Sequence, residues 1–478
     1  MHGTIKYFLC LLTGILYQLP GIAQQPDSLF AKPDTITKSN EEFFIGDIVI
    51  TGNKKTKSSI ILREVPFRKG DSFSLQTLVK KFEDARRQLM NTALFNSVFV
   101  SLKEFRGFIV DVSIEVKERW YLFPLPYFRP VDRNLNQWLV EQKGSLKRVN
   151  YGIKLLYNNT TGRNDKLKLY LINGYTKQIS LEYDRLYFDK RMKWGGVISL
   201  SAGKNREMNY NTINDKQVFL RQDEYVRNFF STKAEVSYRR AIKTRHSFGV
   251  GFTREQVHDT ITKLNPGYFN GAHKSVAYPE IFYKMVYYNL DYIPYPIKGY
   301  AAQINFAKKG FGKGIDLWEL NVKAQASWPI MRKTFINLNT FGGLKLPFRQ
   351  SYYTQRLFGY GDVYLQGYEY YVTDGVAGGF IKTTLAREIF NFRIRIPGSE
   401  RKGKQAEYIP FRIFGKIYGN AGYVHNPQPG QNTLSNKMLY SSGIGIDILS
   451  FYDVVFKLEW SFNQLGQNGL FLHKKTIF

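Results

Sequence analysis

From about residue 131 to the C-terminus the chain alternates in period two and does not offer a convincing amphipathic helix. Between Val454 and Phe462, the residues Phe456, Leu458, Trp460 and Phe462 share one face, and Lys457, Glu459 and Ser461 share the other. Between Phe411 and Tyr423, one face carries Phe411, Ile413, Ile417, Ala421 and Tyr423, and the opposite face carries Arg412, Lys416 and Asn420. Leu167, Leu169 and Leu171 repeat the pattern. Turn signals such as Asn158 to Gly162 and Asn426 to Gly430 separate these runs. A soluble sandwich would turn the apolar face inward, and roughly 350 residues is long for one such domain. A membrane barrel turns that face to lipid and keeps the charged face in a wet lumen. About 16 antiparallel strands would use the length.

Composition agrees with a barrel. Aromatics reach 16%, with 33 Tyr and 37 Phe, while mean hydropathy is negative at −0.33, a mix that suits strands alternating between lipid and lumen with aromatic girdles. The formal charge of +29 favours anionic partners: nucleic acid, phosphorylated lipid or acidic protein. A basic lining spread over a large surface would carry the same charge.

Residues 1–23 read as a secretory leader. Lys6 supplies the positive start, Tyr7 to Tyr17 the short apolar run, and Gly21 to Ala23 the small residues at the cleavage positions. Cys10, the sole cysteine, lies in the apolar run, so no disulfide, thiol chemistry or lipid anchor is expected of the exported chain. Export in turn argues against a nucleic-acid partner. Residues 24–41 read as a polar, disordered lead-in.

Residues 42–118 form a separate unit. Phe43 to Ile50 reads as a strand ending in the turn Thr51-Gly52-Asn53, and Ser58 to Glu64 as a short helix stopped by Pro66. A second helix places Leu75, Leu78, Val79, Phe82, Ala85 and Leu89 at helical spacing behind the N-cap Ser74. Val98 to Leu102 and the alternating run Val110, Val112, Ile114, Val116 close a β-α-α-β-β order. Residues 119–130 follow as a proline-rich hinge, because Pro124, Pro126 and Pro130 forbid a helix and disfavour a central strand.

One stretch fits neither strand nor ordinary loop. Gly359 to Tyr371 is rich in Gly and Tyr, which suits a long segment that folds back into a wide cavity, with rings and hydroxyls as anchors.

The run from Ile48 to Thr56, followed by Leu94-Phe95-Asn96-Ser97-Val98 and a closing pair of strands, resembles a POTRA domain. Leader, POTRA-like unit and barrel together resemble the outer-membrane assembly factor superfamily, also called the bacterial surface antigen family, over residues 42–478. Members carry Arg-Gly-aromatic in a loop that folds into the barrel. The matching positions here are Gln366, Gly367 and Tyr368, with Gln in place of Arg. The family's Arg meets an Asp on a late strand, in a Phe-x-Asp-x-Gly pattern. Here that pattern reads Tyr418-Gly-Asn420-Ala-Gly422, with Asn in place of Asp. A Ser-x-Gly element on the next strand is kept as Ser441-Ser-Gly443. Period-two counting puts Asn420 and Ser441 on luminal faces, so the expectation is an amide pair, Gln366 with Asn420, replacing the ion pair. The final strand is expected to close on Phe478.

No metal-binding spacing, nucleophile elbow or phosphate loop stands out, since Gly310 to Gly314 lacks a following helix and reads as a turn. No catalysis, cofactor or metal is therefore expected. The resemblance implies an outer-membrane protein with its POTRA unit in the periplasm, contacting the bilayer and lipopolysaccharide, and assisted by accessory periplasmic proteins. Its clients would be unfolded outer-membrane proteins, inserted through POTRA strand addition and a weak barrel seam. The alternative is a pore that translocates an exported partner.

Overall fold

The computed structural model describes residues 42–130, 138–139, 143–189, 192–271, 273–312, 314–395 and 408–475. The expected leader, the lead-in and Phe478 lie outside them. The N-terminal unit holds β1 (Glu42–Thr51), α1 (Ser58–Glu64), β2 (Ser72–Ser74), α2 (Leu75–Asn91), β3 (Phe95–Arg106) and β4 (Ile109–Glu118). Its sheet order is β2-β1-β4-β3, with β1 parallel to β4 and β3 antiparallel to it. The three-residue β2 is an addition to the expected order. Ser74 caps α2 by accepting from the Thr77 amide, and Leu78, Ala85 and Leu89 seat that helix on Val110, Val112 and Ile114 of the sheet. Among the described residues β3 is an edge of this sheet, and it exposes Phe99 and Phe105.

The second sheet starts at β5 (Leu122–Pro130), where a hinge was expected. That expectation is corrected. The prolines are tolerated because β5 is an edge strand. Its ladder with β6 (Val149–Asn158) runs unbroken from Leu122 to Pro130. A proline facing β6 would delete a ladder bond, so Pro124, Pro126 and Pro130, all of one parity, turn their nitrogens away from it.

The sheet continues through β7 (Lys166–Gly174), β8 (Thr176–Tyr187) and β9 (Trp194–Asn205), pauses for the hairpin β10 (Glu207–Ile213) and β11 (Lys216–Arg221), then resumes with β12 (Arg227–Ala241) and β13 (Thr244–Val257). After the short α3 (Asp259–Leu264) come β14 (Ser275–Leu290), β15 (Gly299–Lys309), β16 (Leu317–Met331) and β17 (Thr334–Leu346). A loop holding β18 (Arg356–Phe358) and β19 (Thr373–Asp374) leads to β20 (Ala377–Arg395), β21 (Tyr408–His425), β22 (Met438–Leu449), β23 (Val455–Asn463) and β24 (Asn468–Lys475). Sixteen strands pair antiparallel in sequence order from β5 to β24.

Burial decides which face meets what. On β23, Phe456, Leu458, Trp460 and Phe462 are 39–47% exposed, whereas Glu459 and Ser461 are 0% and 1% exposed. Ile198, Phe248, Ile281, Ile417 and Ile444 also point outward on other strands, while Glu255, Glu280, Lys345 and Asp447 are buried within. This is the reverse of a soluble core. Leaving that apolar surface in water at about 25 cal/mol per Å² would be prohibitive, so the outer band faces hydrocarbon.

Both mouths are covered. At the end where β5 begins, the N-terminal unit binds turns spaced around the ring. Thr56 accepts from Asn159 at 2.9 Å, Asn91 donates to the Leu290 carbonyl at 3.3 Å, and Arg119 donates to Asp453 at 2.6 Å. At the far end, the tip of the β10–β11 hairpin reaches the β21–β22 loop, where the Asp215 carboxylate accepts from the Thr433 amide and hydroxyl and the Leu434 amide at 2.9–3.2 Å. Tyr268, Phe269, Tyr352 and Tyr353 pack together beside it.

Candidate functional site

The loop between β17 and β20 enters the lumen from the far mouth. Leu357, Phe358, Leu365 and Tyr368 are buried in one cluster with Phe341 of β17, Phe380 of β20 and Val424 of β21. Apolar anchoring of this kind needs a loop with rings and with glycine at its sharp points, which explains the composition of residues 359–371.

The expected site residues assemble around the loop tip. Gly367 has φ +86°, and its carbonyl accepts from Asn463 at 2.8 Å. A Cβ there would lie 3.1 Å from that of Ser441, so the loop meets the wall at glycine. The Tyr368 hydroxyl donates to the Tyr440 carbonyl at 3.0 Å. Gly422 leaves room for Phe358 and Phe380. Gly443 leaves room for Tyr418, whose hydroxyl lies 2.7 Å from that of Ser461.

The partner expected for Gln366 is corrected. Gln366 donates to Oε1 of Glu459 at 2.7 Å, and no hydrogen bond joins it to Asn420 among the described residues. Asn420 donates instead to Ser441 at 3.0 Å, and its carbonyl oxygen is buried without a partner among the described residues. The reason is electrostatic. Glu459 Oε1 also accepts from Lys416 at 2.5 Å, and Lys416 donates to Asp447 at 2.5 Å, so a charged acceptor draws the Gln366 amide more strongly than a neutral one. Tyr295, from the turn after β14, completes the network by donating to Asp447 at 2.9 Å. Period-two patterning puts Lys416 and Glu459 on polar faces, but no local signal joins Glu459 to residue 366, 93 positions away.

The sheet's two ends form the second feature. The ring of Phe123 on β5 lies 5.4 Å from that of Tyr452, in the turn before β23, so the sheet curls until its ends meet. Among the described residues no backbone ladder joins β5 to β24. On the seam-facing edge of β5, Pro124, Pro126 and Pro130 offer no N–H, which leaves Leu122 and Phe128 as its donors.

Residues 43–119 match the family model for POTRA, described as the surface antigen variable number repeat. No curated protein sequence matches the chain. Among solved structures, CdiB from Escherichia coli aligns over 91% of this chain and 75% of its own, with 11% identity and a TM-score of 0.52. BamA from Haemophilus ducreyi lacking POTRA domains 1–3 aligns over 90% and 83%, with 14% identity and a TM-score of 0.48. At such identity the likeness to CdiB speaks for the fold: a POTRA domain followed by a membrane-spanning barrel of the outer-membrane type. The POTRA-covered mouth is accordingly the periplasmic one.

Proposed function

Starting from a POTRA domain joined to a 16-strand outer-membrane barrel, the build of the outer-membrane assembly superfamily, we propose that this chain helps other β-barrel proteins enter the outer membrane, without catalysis. The observation that carries the reading is the seam. A strand edge with unpaired backbone groups is a template for another strand, and in lipid an unpaired group costs several kcal/mol, which drives a client toward it. The β5 prolines remove ladder donors from one side of the seam, so self-pairing across it is weak and a client strand can compete for it.

The POTRA domain supplies a second docking edge. β3 is long and, among the described residues, unpaired on one side, and the exposed Phe99 and Phe105 offer contact to an unfolded chain adding as a strand. The driving force is the client's own burial and hydrogen bonding, so no nucleotide is needed. Lipopolysaccharide and periplasmic accessory proteins would meet the rim and the POTRA surface.

Depletion of the protein followed by outer-membrane proteomics tests this. Insertion activity predicts loss of a set of barrel proteins from the membrane. Loss of a soluble exported protein from the medium, with barrel proteins unchanged, would favour a translocating pore instead.

A further inference from the structure

The in-folding loop brings a third acidic residue beside the Gln366 network. Glu369, on the loop, meets Glu459 of β23 and His473 of β24, and all three are luminal. His473 Nε2 lies 3.3 Å from Glu369 Oε1 and 3.4 Å from Glu459 Oε2. Both carboxylates are more than nine-tenths buried.

The two oxygens of Glu459 have different duties. Oε1 is occupied by Lys416 and Gln366, as described. Among the described residues Oε2 has no hydrogen-bond partner, and neither does Oε2 of Glu369. A single Nε2–H can be directed at one carboxylate only, so Glu459 Oε2 faces the imidazole nitrogen without a hydrogen bond, and Glu369 keeps a second buried oxygen without one. Such atoms cost free energy unless something satisfies them.

We propose that Glu369, Glu459 and His473 bind one divalent first-row transition-metal ion, with Zn²⁺ as the representative. An imidazole with two carboxylates suits such ions better than Ca²⁺ or Mg²⁺, which prefer all-oxygen shells. The spacing also fits, because tetrahedral bonds of about 2.0–2.1 Å imply ligand-to-ligand edges of about 3.3–3.4 Å. Water from the lumen would complete the shell. The donors come from the loop and from the last two strands, so the ion would fasten the loop to the wall beside the seam. The inference stands apart from the assembly reading, since metal binding is measured without any client.

The test uses the full chain purified in detergent, stripped with a chelator and titrated with ZnCl₂ by calorimetry, with bound zinc counted by mass spectrometry. The account predicts about one ion per chain and a zinc-dependent rise in unfolding temperature. Glu369→Gln and His473→Ala should each weaken binding by at least the roughly tenfold that loss of a ligand's supporting partner alone costs. Heat-modifiable gel mobility shows that each variant is folded, and His258→Ala, outside the cluster, should bind as the parent does. Two results would overturn the proposal: no saturable binding by the parent, as expected if a protonated His473 simply bridges the carboxylates, or undiminished binding by folded Glu369→Gln and His473→Ala.

Discussion

Glu64 of the POTRA helix α1, which is buried, and Arg239 of the barrel strand β12, which is partly buried, form a two-point ion pair with contacts of 2.5 and 2.6 Å. Burial alone would raise the Glu64 pKa. Hydrogen bonds and charge from Arg239, aided by Arg63, outweigh it and bring the carboxyl from 4.5 down to about 2. Breaking a buried pair from one side costs about 3–5 kcal/mol, and the low end applies here because Arg63 remains. Arg239→Ala should therefore lower hydrogen-exchange protection of α1, whereas Arg239→Met with Glu64→Leu should largely restore it.

The same pair predicts a pH dependence. A carboxyl whose folded pKa is depressed contributes stability above its unfolded value, and that stability is lost as pH falls through the folded one. POTRA docking should weaken between pH 4.5 and about 2, and the weakening should be absent in Glu64→Gln. Exchange protection of α1 against pH checks this.

Gln366→Ala removes one of two donors to a buried carboxylate and should cost about 1–3 kcal/mol. A double-mutant cycle of Gln366 with Glu459 should show coupling of about 0.5–3 kcal/mol, and the cycle with Asn420 should be additive within about 0.5 kcal/mol. Denaturant unfolding in detergent measures both.

Gly443→Ala would put a Cβ 2.3 Å from the Tyr418 hydroxyl and 2.4 Å from the Trp460 carbonyl. The second neighbour is backbone and cannot swing aside. A cost of about 1–3 kcal/mol is expected from overpacking, with loss of the Tyr418–Ser461 hydrogen bond. Gly422→Ala, whose nearest atoms lie at 3.3 Å, should be milder. Thermal unfolding monitored by gel mobility ranks the two.

Asp215→Ala removes the acceptor that holds the β10–β11 hairpin to Thr433 and Leu434 across the outer mouth. The POTRA side is untouched, so stability should change little while the far mouth loosens. Conductance in planar bilayers should rise, and the hairpin should become sensitive to trypsin.

Much of this architecture could be read from period-two patterning, because a strand with one wet face must alternate wherever it lies. Ser74 as a helix cap and Lys416 and Asn420 on an inner face were legible for the same local reason. The β5 strand was not, since prolines argue against a strand until its edge position is known. The Gln366–Glu459 contact and the cluster of Glu369, Glu459 and His473 were also hidden. Their members lie on separate elements, and only the depth to which the loop enters the lumen brings them together.

The seam reading is tested most directly by a photo-crosslinking amino acid placed at position 472, on the lipid-facing side of β24, in cells expressing the protein. The account predicts adducts with unfolded outer-membrane barrel proteins, lost when insertion is complete. Adducts with a soluble exported polypeptide alone, or none from β24 while luminal positions crosslink to such a polypeptide, would contradict it.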